Sequence, residues 1–199
     1  MGQPLRAALL LLVVGAGLLA AGCGGGSKSS AGGAGAGPLS AESRSAATGD
    51  IPDNQVFLVF RDAAAGYSIK YPEGWTQRGR TRDVTFADKN NLIHIVVGTG
   101  AAPTPSRVAA TLAAQAARTR SLRAGPPRAL DVPGPGRAVK LTYSTLSSPN
   151  PVTGRRVRLV VDRYVIARAG RQAIIDLGTP QGVDNVDAYR LIVRSFRWR

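Results

Sequence analysis

Cys23 and His94 are the only thiol and the only imidazole in the 199 residues. A lone Cys makes no internal disulfide, thiolate zinc site or iron–sulfur cluster. A lone His makes no multi-His metal centre. His94 stands between Ile93 and Ile95 in an apolar run. A sheet-face imidazole with a local hydrogen bond is the expected role there, rather than a general base. The only Glu residues are Glu42 and Glu73, and the Asp residues are scattered. Asp83 and Asp88 bracket one apolar-alternating run and could face a cation, although stabilising turns is the commoner use of such Asp residues. Gly24-Gly25-Gly26-Ser27-Lys28-Ser29 has the look of a phosphate loop but lacks the Gly directly before Lys. No nucleophile has an activating partner by spacing. The chain therefore reads as noncatalytic, with no metal site and no cofactor.

Charge is the other chemical resource. The formal net charge is +14, from 26 Lys and Arg against 12 Asp and Glu. Arg78, Arg80 and Arg82 alternate just after Trp75, and Arg156 and Arg158 alternate beside Arg155. Alternate residues of a strand share a face, so each set can present a row of guanidinium groups. Such rows suit phosphate or carboxylate oxygens, which Arg grips with paired hydrogen bonds. They also suit edge strands that must not pair with another chain, and both uses stay open. Whether the rows share one face is not readable from sequence.

These residues sit in a chain with three distinct stretches. Arg6 precedes an unbroken run of Ala, Leu, Val and Gly from Ala7 to Ala21. That run is shorter than the roughly 20 residues of a spanning helix and matches an export signal. Leu18-Leu19-Ala20-Ala21-Gly22-Cys23 resembles the lipobox of bacterial lipoproteins, with Ala20 where that family usually has Leu. The resemblance implies that residues 1–22 are removed and that Cys23 becomes a lipidated N-terminus, thioether-linked to diacylglycerol and acylated with palmitate or a similar fatty acid. Two or more acyl chains suffice for stable anchoring. Residues 23–50 are rich in Gly, Ala and Ser and hold no aromatic residue. They are expected to be a flexible tether, because they cannot bury enough surface to offset their ordering entropy. Export makes nucleic acid an unsuitable partner for the basic surface. Anionic lipids, wall polymers or an envelope protein are the anions within reach.

Residues 51–199 then form one domain, expected to be monomeric. Period-two runs predict strands at Tyr67–Tyr71, Val84–Phe86, Leu92–Val97, Val139–Tyr143, Val157–Val165 and Ala173–Leu177. Asp88-Lys89-Asn90-Asn91 and Ala169-Gly170-Arg171 read as hairpin turns. Thr104-Pro105 predicts a capped helix carrying Val108, Leu112 and Ala116 on one stripe and ending at Gly125-Pro126-Pro127. A second helix is expected from a cap at Asp184 to about Ser195, with a short last strand through Phe196 and Trp198. A helix on each side of a mostly antiparallel sheet explains why Leu92–Val97 is apolar on both faces. The fold class is α+β.

Gly66-Tyr67-Ser68-Ile69-Lys70-Tyr71-Pro72-Glu73-Gly74-Trp75 is similar to the opening strand and turn of PsbP-like proteins, and Tyr189–Phe196 resembles their closing helix. That family includes photosystem extrinsic proteins, a Ran-binding relative and bacterial lipoproteins of the LpqN type. The resemblance implies an α/β/α sandwich and a noncatalytic binding or envelope-accessory role; a subunit docked on a membrane complex and a hydrolase built on His94 are the alternatives. Tyr67, Ile69, Tyr71 and Trp75 read as core residues, with an aromatic ligand box as the rival reading.

Overall fold

The computed structural model describes residues 49–150 and 152–199. The expected leader, Cys23 and nearly all of the tether lie outside the described residues.

Two antiparallel sheets and two helices build the domain. The strands are β1 (Phe57–Asp62), β2 (Tyr67–Pro72), β3 (Thr76–Arg80), β4 (Asp83–Asp88), β5 (Asn91–Thr99), β6 (Arg123–Ala124), β7 (Arg128–Val132), β8 (Gly136–Leu146), β9 (Arg158–Arg168), β10 (Arg171–Pro180) and β11 (Arg197–Trp198). Helix α1 is Pro105–Arg118 and α2 is Val186–Ser195. The larger sheet runs β3-β4-β5-β10-β9-β8-β6, with β7 also on β8; the smaller runs β1-β2-β11.

Strands β8 and β9 bury apolar residues on both faces, whereas β5 buries Ile93, Ile95 and Val97 on one face and leaves Leu92 and Val96 half-buried on the other. Val139, Leu141, Val161 and Val165 meet Val108 and Leu112 of α1. On the other face Ile93, Ile95, Ile166 and Ile175 join Ile192 and Val193 of α2 and Tyr67 and Ile69 of the small sheet. A helix on each side was the expectation; the small sheet shares the second face with α2.

Local chemistry fixes the connections. Ala169 and Gly170 both have positive φ (51° and 74°), which gives the two-residue turn whose twist suits a hairpin. Gly79 has φ 73°, and a Cβ there would lie 2.2 Å from the Asp83 carbonyl oxygen, so only Gly fits that strand end. Thr104 caps α1, its Oγ1 accepting from the Arg107 N–H at 3.3 Å with Pro105 in the first turn. Thr104→Ala should cost about 1 kcal/mol, read as a shift in urea midpoint at unchanged slope.

Four details differ from the sequence reading. Helix α1 stops at Arg118, because Leu122 must turn back into the core and Arg123–Ala124 then pairs with β8 ahead of Gly125. Helix α2 is capped at Asn185, one residue beyond Asp184, whose Oδ1 instead accepts from the Val186 N–H at 3.1 Å. The Asn185 side chain is drawn inward. Its Oδ1 accepts from Ile51 N at 2.8 Å, and its Nδ2 donates to Gly49 O and Thr179 Oγ1 at 3.1 and 2.9 Å. The strands β1, β6 and β7 show no clean apolar alternation and are not expected from the sequence. The Val157 run begins its pairing only at Arg158.

Candidate functional site

His94 does what a sheet-face imidazole was expected to do. Its Nε2 lies 2.9 Å from Asp83 Oδ1, and the Asp83 side chain is 73% exposed. The pair is on the open surface and lines none of the five main cavities. Asp88 lies at the other end of β4 and pairs with Lys89 at 3.8 Å, so the two Asp residues do not converge on a cation. Among the described residues no three His, Cys, Asp or Glu side chains gather to hold a metal.

The arginine rows are corrected. Arg78 and Arg80 lie in β3, whereas Arg82 falls past its end. Positive φ at Gly79 and Thr81 breaks the alternation that would have put all three on one face. In the second set only Arg158 belongs to β9; Arg155 and Arg156 precede it, and Arg156 donates to Ser147 O at 3.0 Å. All six are exposed. Strand β3 is the sheet edge and β9 lies four strands away, about 19 Å at ordinary strand spacing. Arg80 pairs opposite Asp83 at one end of the sheet and Arg158 opposite Leu146 at the other. The two sets do not form one anionic-contact face.

The aromatic segment is core. Tyr67, Ile69 and Trp75 are buried, and Tyr71 stacks on Phe86 with centroids 4.2 Å apart. A ligand box is absent from that position.

The large clefts instead run along α2. One, about 560 Å³, lies between Val59 and Lys70 on one side and Arg190, Leu191 and Arg194 on the other. Its neighbour, about 780 Å³, lies between Ile51–Asn54, Phe57 and the first half of α2. Asp187 and Leu191 border both. Charge is sorted along this groove. Asp50, Asp53 and Asp184 line the end at the helix start; Lys70, Arg194 and Arg197 line the end at its finish, and Asp187 and Arg190 between them pair at 2.6 Å. Acids at a helix start and bases at its end also complement the helix dipole. Between them Val59 and Leu191 are 40% and 39% exposed.

A polar cluster that periodicity alone does not predict is buried under α1. Arg163 grips Asp176 with two bonds of 2.7 Å, from Nε and from NH2. Tyr143 donates its hydroxyl to Asp176 at 3.1 Å, and Gln115 accepts from Arg163 at 3.1 Å. Burial disfavours the Arg163 cation, but its bonds to Asp176 and that carboxylate's charge outweigh this and raise its pKa. The signal was present in the sequence: Asp176 interrupts the apolar run Ile174-Ile175-Asp176-Leu177. Every guanidinium nitrogen has a partner, so this is a structural device rather than a ligand site.

Burial raises the phenol pKa of Tyr67, Tyr143, Tyr164 and Tyr189 alike. The folded chain therefore holds these protons more tightly than the unfolded chain. The contribution of these phenols to stability should be constant up to the ordinary tyrosine range near pH ~10 and fall above it, by up to about 1.4 kcal/mol per pH unit for each phenol. In an alkaline titration, phenolate absorbance and loss of ellipticity should rise together. Phenolate appearing in a chain still fully folded would show that these hydroxyls are accessible.

The strand order and the helices on both faces define a PsbP-like α+β fold. No protein-family model matches the chain, and no curated protein sequence does. Among solved structures, the chain is similar to cyanobacterial PsbP (CyanoP) from Synechocystis sp. PCC 6803, with a TM-score of 0.55 and 17% identity. The match covers 76% of this chain and 98% of CyanoP. The Saccharomyces cerevisiae Ran-binding protein Mog1p gives a TM-score of 0.45 at 9% identity, over 72% of this chain and 96% of Mog1p. At such identity CyanoP speaks for the fold alone.

Proposed function

We propose that this protein is an extracytoplasmic lipoprotein, held to the bacterial cell membrane through Cys23, whose folded domain is a noncatalytic binding or envelope-accessory module. The observation that carries the binding role is the groove along α2, with exposed Val59 and Leu191 between an acidic and a basic end. Such a strip suits a segment of an envelope protein with charges of opposite order. The position of His94 outside the cavities supports a noncatalytic role. The lipobox-like segment supports the anchor.

Metabolic labelling with a clickable fatty acid tests the anchor. Wild type should take up label and fractionate with membranes, and Cys23→Ala should lose both. Equal labelling of the two would reject the lipoprotein reading. A second reading, a subunit docked on a membrane complex, is favoured by Val56 and Leu58, which are 55% and 39% exposed on or beside the edge strand β1. Photo-cross-linkers at Leu191 and at Val56 separate the two. The groove reading expects adducts from Leu191 alone, and the docking reading from Val56.

A further inference from the structure

The geometry points to an oxyanion pocket, formed by Arg82, Arg171 and Arg199, that takes the phosphate group of an anionic envelope molecule. It deepens the binding role proposed above, at a place distinct from the α2 groove.

The cavity is about 270 Å³ and lies beside the β1–β2 turn, lined by Ala63–Gly66, by Val97–Thr99 and by the three arginines. No Asp or Glu side chain lines it, and the main-chain oxygen of Arg199 faces Arg171 at its wall. Arg171 is fixed in place. Its NH1 and NH2 donate to Gly66 O and Arg199 O at 3.2 and 3.1 Å. Its guanidinium carbon lies 4.6 Å from the centre of the Trp198 ring. A Cβ on Gly66 would sit 2.4 Å from Arg171 NH1, so the missing side chain is what admits the guanidinium. The Arg82 and Arg199 guanidinium groups are exposed and in no ion pair among the described residues. Asp62, the nearest acid on the turn, accepts from Ala65 N at 2.7 Å. Asp83 is engaged by His94.

Arg82, Arg199 and the partly engaged Arg171 line one small cavity, and like charges held that near one another repel. A dianion with oxygens directed at several donors relieves that repulsion better than a planar carboxylate can. Small residues on the remaining wall leave room for the group esterified to the phosphate.

The pocket's position matters for the source of that phosphate. The chain joins the domain at Gly49–Ile51, where Asn91 and Asn185 hold it at the start of β5. The pocket lies at the finish of β5, eight residues on from Asn91, or about 26 Å at strand rise. It therefore opens at the end of the sheet opposite Gly49, which favours a soluble or wall-borne phosphate ester as the source. A lipid headgroup is the other source.

The full chain in neutral detergent, titrated with inorganic phosphate and glycerol 3-phosphate against chloride of matched ionic strength, tests the pocket. Phosphate should raise Tm and change tryptophan emission saturably, through the Arg171–Trp198 stack. Arg82→Gln should weaken binding about ten-fold, as expected for losing one charge-assisted contact. Arg158→Gln removes the same charge at the other end of the sheet and should change binding by less than about two-fold. Equal weakening by both substitutions would reduce the effect to net charge and overturn the site, as would a signal that never saturates. Binding to phosphatidylglycerol vesicles, but not phosphatidylcholine vesicles, with the same Arg82 dependence would assign the site to headgroups. Binding of the soluble esters without such vesicle binding would assign it to a free or wall-borne phosphate. Fatty-acid labelling of Cys23 reads the anchor independently of either result.

Discussion

Asp176→Ala should lower stability by about 3–5 kcal/mol, the cost of leaving a buried charge without its partner. Arg163 and Asp176 have side chains only 11% and 6% exposed, and they meet through two parallel bonds. Arginine cannot escape the loss by giving up a proton, so the guanidinium would stay charged beneath α1 with Gln115 and the Tyr143 ring as its remaining neighbours. Tyr143 would lose its acceptor as well. The double substitution Arg163→Met with Asp176→Leu removes both charges and should recover most of the loss, since apolar replacement of a buried pair is often neutral or better. Urea denaturation of the two variants decides it. A single-variant cost under about 1 kcal/mol would mean that water reaches the guanidinium.

Trp75→Ala should cost about 3–5 kcal/mol. The ring is 8% exposed and belongs to the cluster that joins the small sheet, α2 and the far face of the large sheet. Trp75 also ends the Pro72-Glu73-Gly74 turn, its N–H donating to Pro72 O at 3.4 Å. Removing the indole opens a cavity where β2 passes into β3, and two sheets lose a shared filler. Chemical denaturation with retained m-value would show simple destabilisation. A loss under about 1 kcal/mol would place the ring outside the packed interior.

The parts of this molecule that were legible in sequence are those governed by local pattern. Tyr67, Ile69, Val84, Phe86, Ile93 and Ile95 alternate and are fully buried, because a strand with one covered face imposes period two. Thr104-Pro105 and Ala169-Gly170 announced their cap and turn through side-chain chemistry alone. What resisted reading depends on distant residues. The alternation of Arg78, Arg80 and Arg82 was real in sequence, but the positive φ at Gly79 and Thr81 turned Arg82 toward Arg171 and Arg199, which lie 89 and 117 positions further on. Asp184 and Asn185 are both good caps, and only the placement of Gly49, Asn91 and Thr179 selects Asn185 and spends its amide on them. The α2 groove was not legible, since it is made where a helix and an unrecognised edge strand happen to face each other.

The amide of Asn185 has a mechanical consequence. A pull on the chain ahead of Gly49 travels first into the bonds that Asn91 and Asn185 make with Gly49 O and Ile51 N. Those side chains belong to the start of β5, in the middle of the large sheet, and to the cap of α2. Load is thereby diverted into the larger sheet and α2 before it reaches β1, the next strand along the chain and one paired on a single side. A strand pulled lengthwise from its free edge would unzip bond by bond. With the knot at Asn185 in series ahead of it, β1 stays slack while the core bears the tension.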